Sequence, residues 1–126
     1  MFSPSAAFSS FSVDDIDVAR EFYGGVLGLE VRENEMGFIE LLAASGTRVL
    51  VYPKPGHRPA DFTVLNFPVD DIDDAVDDLR ARGVETKIYS DDEFASDDRG
   101  IVRDERGPAI AWFRDPAGNV LAVMES

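Results

Sequence analysis

Val13-Asp14-Asp15-Ile16-Asp17-Val18-Ala19 returns almost letter for letter as Val69-Asp70-Asp71-Ile72-Asp73-Asp74-Ala75 in a chain of only 126 residues. A self-similarity whose period is near half the chain predicts one domain, residues 1–126, built from two related modules at about 5–53 and about 61–126. The surface shared by two such modules is a natural place for a ligand. The acids in each copy look like a candidate catalytic pair, but their shared position at a strand-to-helix corner reads better as helix capping. Asp14 or Asp15 stands where an N-cap is needed, and Asp17 falls in the first turn, where the helix dipole favours an anion.

Working outward, residues 6–13 mix aromatics, Ser and Val in rough alternation and read as a strand. Ile16, Ala19, Tyr23, Val26 and Leu27 then recur at helical spacing, and Gly28 stands where a helix stops. Residues 29–32, 37–43 and 47–52 read as three short strands, followed by a loop rich in Pro and Gly at 53–60. The order then restarts. Residues 62–69 read as a strand, Ile72, Ala75, Val76 and Leu79 mark one helix face, and Gly83 ends that helix. Strands are expected at 84–89, 109–114 and 120–124, the last two joined by the turn Asp115-Pro116-Ala117-Gly118-Asn119. Each half is therefore βαβββ and the fold class is α+β. Residues 90–108, mostly polar and carrying Asp91, Asp92, Glu93, Asp97 and Asp98, break the symmetry. A loop of that length is read either as a binding-site lid or as a disordered or plain insertion.

A hydrophobic fraction of 44% suffices for an ordinary core, so charge is what sets the chain apart. With 25 acidic against 12 basic residues, the formal net charge is -13. That argues against nucleic acid and anionic membranes as partners, since both need clustered Lys and Arg, and it favours cationic ones. Solvated helix faces are the plainer account of the same acids. The absence of Cys removes disulfides, thiolate metal sites and Cys nucleophiles. Met1-Phe2-Ser3-Pro4-Ser5-Ala6-Ala7 carries no basic n-region or apolar h-region, and no stretch approaches roughly 18 apolar residues, so a cytoplasmic location is expected.

Three motifs carry a family resemblance. They are the strand ending in Val-Asp-Asp before a helix with Ala19 and Phe22-Tyr23, the stop Val26-Leu27-Gly28-Leu29-Glu30-Val31, and the closing Phe113-Arg114-Asp115-Pro116-Ala117-Gly118-Asn119. In that order they resemble the vicinal oxygen chelate superfamily of glyoxalase I, extradiol dioxygenases, and fosfomycin and bleomycin resistance proteins. The resemblance spans essentially the whole chain. It implies paired βαβββ modules whose curved sheets enclose a cup, frequently in a homodimer.

In the enzymes of that superfamily His, Glu or Gln side chains from four strands hold a divalent metal in the cup. The resemblance places those positions at Phe8, Val64, Tyr52 and Ala122, where phenyl, alkyl and methyl groups cannot bind a cation and a phenol is a poor substitute. Glu125 lies at an odd offset from Ala122 and should face the other way. His57, the only His, reads as a surface residue of the Pro-rich loop, and Glu40, the best remaining acid within a strand, could face the cup but alone would bind a metal weakly. No metal or other cofactor is therefore expected. Without a Lewis acid the superfamily's usual reactions lose their main driver. No Cys, second His or Gly-rich phosphate loop replaces it.

With the metal positions apolar, Phe8, Ser10, Tyr52, Val64, Asn66, Ala122 and Met124 would line a mainly apolar cavity with a few polar handles. Trp112, the only Trp, either stacks on a planar ligand or fills core or a dimer interface. The leading expectation is a metal-free homodimer that sequesters a small organic molecule, cationic or aromatic, of the antibiotic type. The alternatives are a lyase, isomerase or dioxygenase of the same superfamily, with or without a metal, and a non-catalytic protein whose cup is filled by its own side chains such as Phe8 and Met124.

Overall fold

A computed structural model of the chain describes residues 2–126; Met1, part of the N-terminal stretch read above, lies outside the described residues. The chain divides into two compact units, the first running to Pro59 and the second from Ala60.

In the first unit a short 3-10 turn, Pro4–Ala6, precedes strand β1, Ser9–Val13. The expected strand therefore starts later than residue 6, because Pro4 sets a turn conformation. Helix α1, Ile16–Arg20, begins on Asp15, whose carboxylate accepts from the amides of Asp17 (3.0 Å) and Val18 (3.2 Å). The helix then widens into a π-helical stretch, Glu21–Val26, with Leu27 N donating to Phe22 O at 2.9 Å. Helical periodicity could not foresee this widening, which coincides with the Gly24-Gly25 pair. Strands β2 (Glu30–Glu33), β3 (Ile39–Leu42) and β4 (Arg48–Pro53) complete a sheet in the order β1-β4-β3-β2, with β1 parallel to β4.

Alternation divides that sheet into two faces. Phe11, Val13, Ile39, Leu41, Val49 and Val51 are buried, as are Ala19, Phe22 and Tyr23 of the helical segment. Tyr23 packs on Phe11 and Phe22, with ring centroids 5.9 Å and 5.1 Å away.

The second unit repeats the opening of the first. Strand β5 (Thr63–Val69) leads to helix α2 (Ile72–Ala81), capped by Asp71 through Asp74 N at 3.1 Å. Strands β6 (Ile110–Arg114) and β7 (Val120–Glu125) follow, and the sheet order β5-β7-β6 matches β1-β4-β3. Helix residues Ile72, Val76 and Leu79 are buried, as are the odd-numbered strand residues Ala111, Phe113, Leu121 and Val123.

The fourth strand of this unit is missing. Residues 84–89, expected as a strand, form no ladder. Instead the Thr86 hydroxyl donates to Arg99 O at 2.6 Å, and the place beside β6 is taken by an isolated bridge between Val102 and Ile110. Strand-like composition gives strand only where a partner edge is free. Here a later segment occupies that edge.

Candidate functional site

Each sheet has one face away from its helix, and the site positions read from the sequence, Val64 excepted, fall on these two faces. On the first unit's sheet, register aligns Ser10 with Leu50 and Glu40, and Ser12 with Tyr52. Phe8, immediately before β1, is 59% exposed, with the Arg48 guanidinium carbon 5.6 Å from its ring centroid. Tyr52 lies 6.0 Å from the Phe38 ring. Glu40 shares this face but stands 3.7 Å from Arg48 and so is already paired. His57 is not a plain surface residue: it is partly buried, and its Nδ1 lies 2.7 Å from Ser12 Oγ. The Pro-rich loop thus returns to the sheet it leaves.

On the second unit's sheet Asn66, Ala122 and Trp112 stand abreast, as do Pro68, Met124 and Ile110. One position is corrected by a β-bulge. The pairing slips between Thr63 and Leu65, so Thr63 stands opposite Val120 and Val64 falls at the slip. Counting in twos along β5 misses a bulge, because one extra residue reverses the side-chain parity. Thr63 therefore joins Asn66 on the Trp112 face, and Trp112 Nε1 donates to Thr63 Oγ1 at 3.1 Å. Ala122, read as cavity lining, has no exposed surface. Asn66 and Pro68 are exposed, and Trp112 and Met124 are half-buried.

Residues 90–108 divide into two parts. The part from Asp97 to Arg103 is fixed. Ile101 is 2% exposed, and the Asp97 carboxylate accepts from the amides of Arg99 (2.9 Å) and Ile101 (3.0 Å). Arg99 bridges Asp73 and Asp77 of α2, and Arg103 reaches Asp73 at 2.7 Å. The Arg99 guanidinium, helped by that of Arg103, holds the Asp73 carboxyl below the usual carboxylate range. The same contacts, with Asp77 first, raise Arg99. Two of the helix acids read as a solvated face are thus the anchor for this loop.

The part from Asp91 to Ala95 is exposed throughout, yet its Phe94 ring lies 4.8 Å from Trp112 and 5.0 Å from Tyr89, with Tyr89 a further 5.3 Å from Trp112. Thr63, Tyr89 and Phe94 were not singled out from the sequence. A lone Phe inside a run of acids was the one signal available for the last of them.

At three of the four positions that the resemblance assigns to metal ligands, Phe8, Val64 and Ala122, the side chain carries no donor atom; the fourth carries the Tyr52 phenol. The oxygen that replaces Val64, Thr63 Oγ1, is an alcohol already bonded to Trp112. Among the described residues no group of three or more His, Asp or Glu is placed to hold a metal ion. Among them, too, no helix is long and apolar enough to cross a membrane.

A βαβββ unit followed by a βαββ unit, the Asp-capped corners and the closing hairpin define the class. The chain belongs to the Glyoxalase/Bleomycin resistance protein/Dioxygenase superfamily, whose family model matches residues 7–123 and so spans both units. It is 30% identical to the uncharacterised protein YraH of Bacillus subtilis (strain 168) over 128 residues, covering 90% of this chain and 91% of the relative. Among solved structures it is similar to a superfamily member from Sphaerobacter thermophilus DSM 20745, with a TM-score of 0.71 and 24% identity over 96% of this chain and 98% of that one. It is also similar to TnmS3, an antibiotic binding protein from Streptomyces sp. CB03234, with a TM-score of 0.68 and 20% identity over 98% of each chain.

Proposed function

We propose that this protein binds a planar aromatic small molecule, cationic by preference, on the Trp112 face of its second unit, and that it acts as a homodimer by sequestration, without a metal. Trp112 carries the reading. It is half-buried, its indole edge is fixed by Thr63, and it stands beside the exposed amide of Asn66 and the apolar surfaces of Pro68 and Met124. A fixed aromatic plane with one amide at its side suits a flat ring carrying a polar group. The preference for cations follows from the net charge of -13 and from Asp91, Asp92 and Glu93 close in sequence to Phe94. One structural neighbour is described as an antibiotic binding protein, but at 20% identity that likeness bears on the fold alone. Phe8, Ser10 and Tyr52 on the first unit's open face form a second candidate surface in the same reading.

Titration with proflavine, a planar aromatic cation, tests the proposal through the fluorescence of the single Trp. Quenching that saturates, and that calorimetry no longer detects in a folded W112L variant, is the expected result. About one tightly held divalent metal per purified chain would overturn the metal-free part, and a monomer in light scattering the dimeric part. The Ser12–His57 hydrogen bond favours a second reading, a metal-free acid/base enzyme. Turnover of hemithioacetals or catechols that survives chelator and is lost in H57A would favour that reading over sequestration.

A further inference from the structure

Trp112 is covered by the protein's own ring. Phe94 lies 4.8 Å from it at an interplanar angle of 35°, and as a whole residue is 44% exposed. The crevice bounded by Phe94, Trp112, Tyr89, Ile88 and Val102 holds only about 10 Å³, room for one water and far short of the roughly 300 Å³ of a small-molecule site. A ligand that stacks on the covered part of Trp112 therefore has to take the place of Phe94.

The chain around Phe94 is built to let it leave. Residues 97–103 are held by the buried Ile101, by the Arg99 and Arg103 ion pairs to α2, and by the bridge from Val102 to Ile110. Residues 91–95 are wholly exposed, and Phe94 is their one large apolar side chain. Lys87 closes the base of this turn, its Nζ donating to Asp91 Oδ1 at 2.9 Å and to Asp97 O at 3.1 Å, with Ser96 N a further donor to Asp91 Oδ1 at 3.5 Å; inside the turn Glu93 N and Phe94 N donate to Ser90 O at 3.0 Å. The turn is thus a short strap, clasped by Lys87 at its ends and bearing one aromatic ring at its middle.

We infer that Phe94 is an internal plug that occupies the stacking place of a planar aromatic ligand on Trp112, and that the 91–95 strap swings out to admit the ligand. This rests on the Trp112 reading above and adds to it a closed resting state. Closure lowers the apparent affinity by the fraction of molecules that are open. Removing the ring removes that penalty, and loosening the clasp reduces it.

The experiment compares proflavine binding by calorimetry, and acrylamide quenching of Trp112 without ligand, in the wild type, F94A, K87M and W112L (the last by calorimetry alone). F94A should bind about tenfold more tightly and K87M a few-fold more tightly, both with more quenching, while W112L loses binding. K87M keeps the ring and changes only the clasp, so it guards against a fold defect peculiar to F94A. Binding by the wild type that weakens or is unchanged in both F94A and K87M, yet disappears in W112L, overturns the plug and leaves the Trp112 site standing. No binding by the wild type, F94A or K87M overturns the site itself, and the plug with it.

Discussion

The Glu125 carboxylate accepts a hydrogen bond from the amide of Ile72 at 2.9 Å, tying the last strand to the first turn of α2 across 53 positions of sequence. Glu125 thus points to the helix side of the sheet, with Leu121 and Val123, while Ala122 and Met124 point the other way. Two of the free amides at the start of α2 are satisfied this way, one by Asp71 and one by Glu125. E125A should cost about 1 kcal/mol, and E125Q, which keeps an acceptor oxygen, less. Urea midpoints at unchanged slope would measure both.

Thr63 fixes Trp112 through its hydroxyl, so T63V tests the bulge as well as the site. A methyl in place of the hydroxyl leaves the indole N–H without this partner. A loss of about 1 kcal/mol is expected, with an altered Trp emission maximum. T63S, which keeps the donor and acceptor, should restore both. If V64T rescued the emission of T63V, the bulge would be misplaced.

Local chemistry was the legible part of this chain. Asp15 and Asp71 cap helices, and Gly28 (φ 78°) and Gly83 (φ 85°) end helical segments, because each of these roles is decided within a few residues. What depends on distant partners was not legible. Residues 84–89 have strand composition, but Val102 occupies the β6 edge they would need. The Thr63 bulge reverses side-chain parity without any marker in the sequence. Arg99 and Arg103 look like stray bases in an acidic loop until α2 brings Asp73 and Asp77 to them. Ser10, Ser12 and Tyr52 share one face of the first sheet, as alternation from a capped corner requires.

The Asp73 pairing sets a direction for pH. Its carboxyl is held below the usual range, first by Arg99 and then by Arg103, so the folded state binds that proton less readily than the unfolded chain. The stabilisation is therefore complete above the ordinary Asp value and is lost as pH falls through the lowered one. Protection of the 99–103 amides from exchange, corrected for intrinsic rates, should decline on that acid side. D73N should show the reduced protection already at neutral pH and no further acid step from this pair.

Ionic strength separates the two components of proflavine binding proposed for the Trp112 face. Stacking on an indole is insensitive to salt, whereas attraction by the strap carboxylates Asp91, Asp92 and Glu93 is screened within about 8 Å at 0.15 M. Affinity should fall a few-fold between low salt and 0.5 M and then level off, and a D92N/E93Q variant should show a flatter curve with the same plateau. A plateau at zero binding would mean that charge alone held the dye.

Gly100 decides whether the fixed half of the 90–108 loop can form. Its φ is +87°, a conformation costly for any side chain, and a Cβ there would overlap the Thr86 carbonyl oxygen. The overlap is with backbone, so it cannot be relieved by a rotamer change. Thr86 is itself held by its bond to Arg99 O, which leaves the two segments no independent way to part. G100A should therefore destabilise by about 2–4 kcal/mol, well above a generic surface change. If it does so by releasing the loop, amides at 99–103 should lose protection together with more ready acrylamide quenching of Trp112, while those of β5 and β7 change only with global stability. Equal loss of protection everywhere would show instead that the loop and the sheet unfold as one unit.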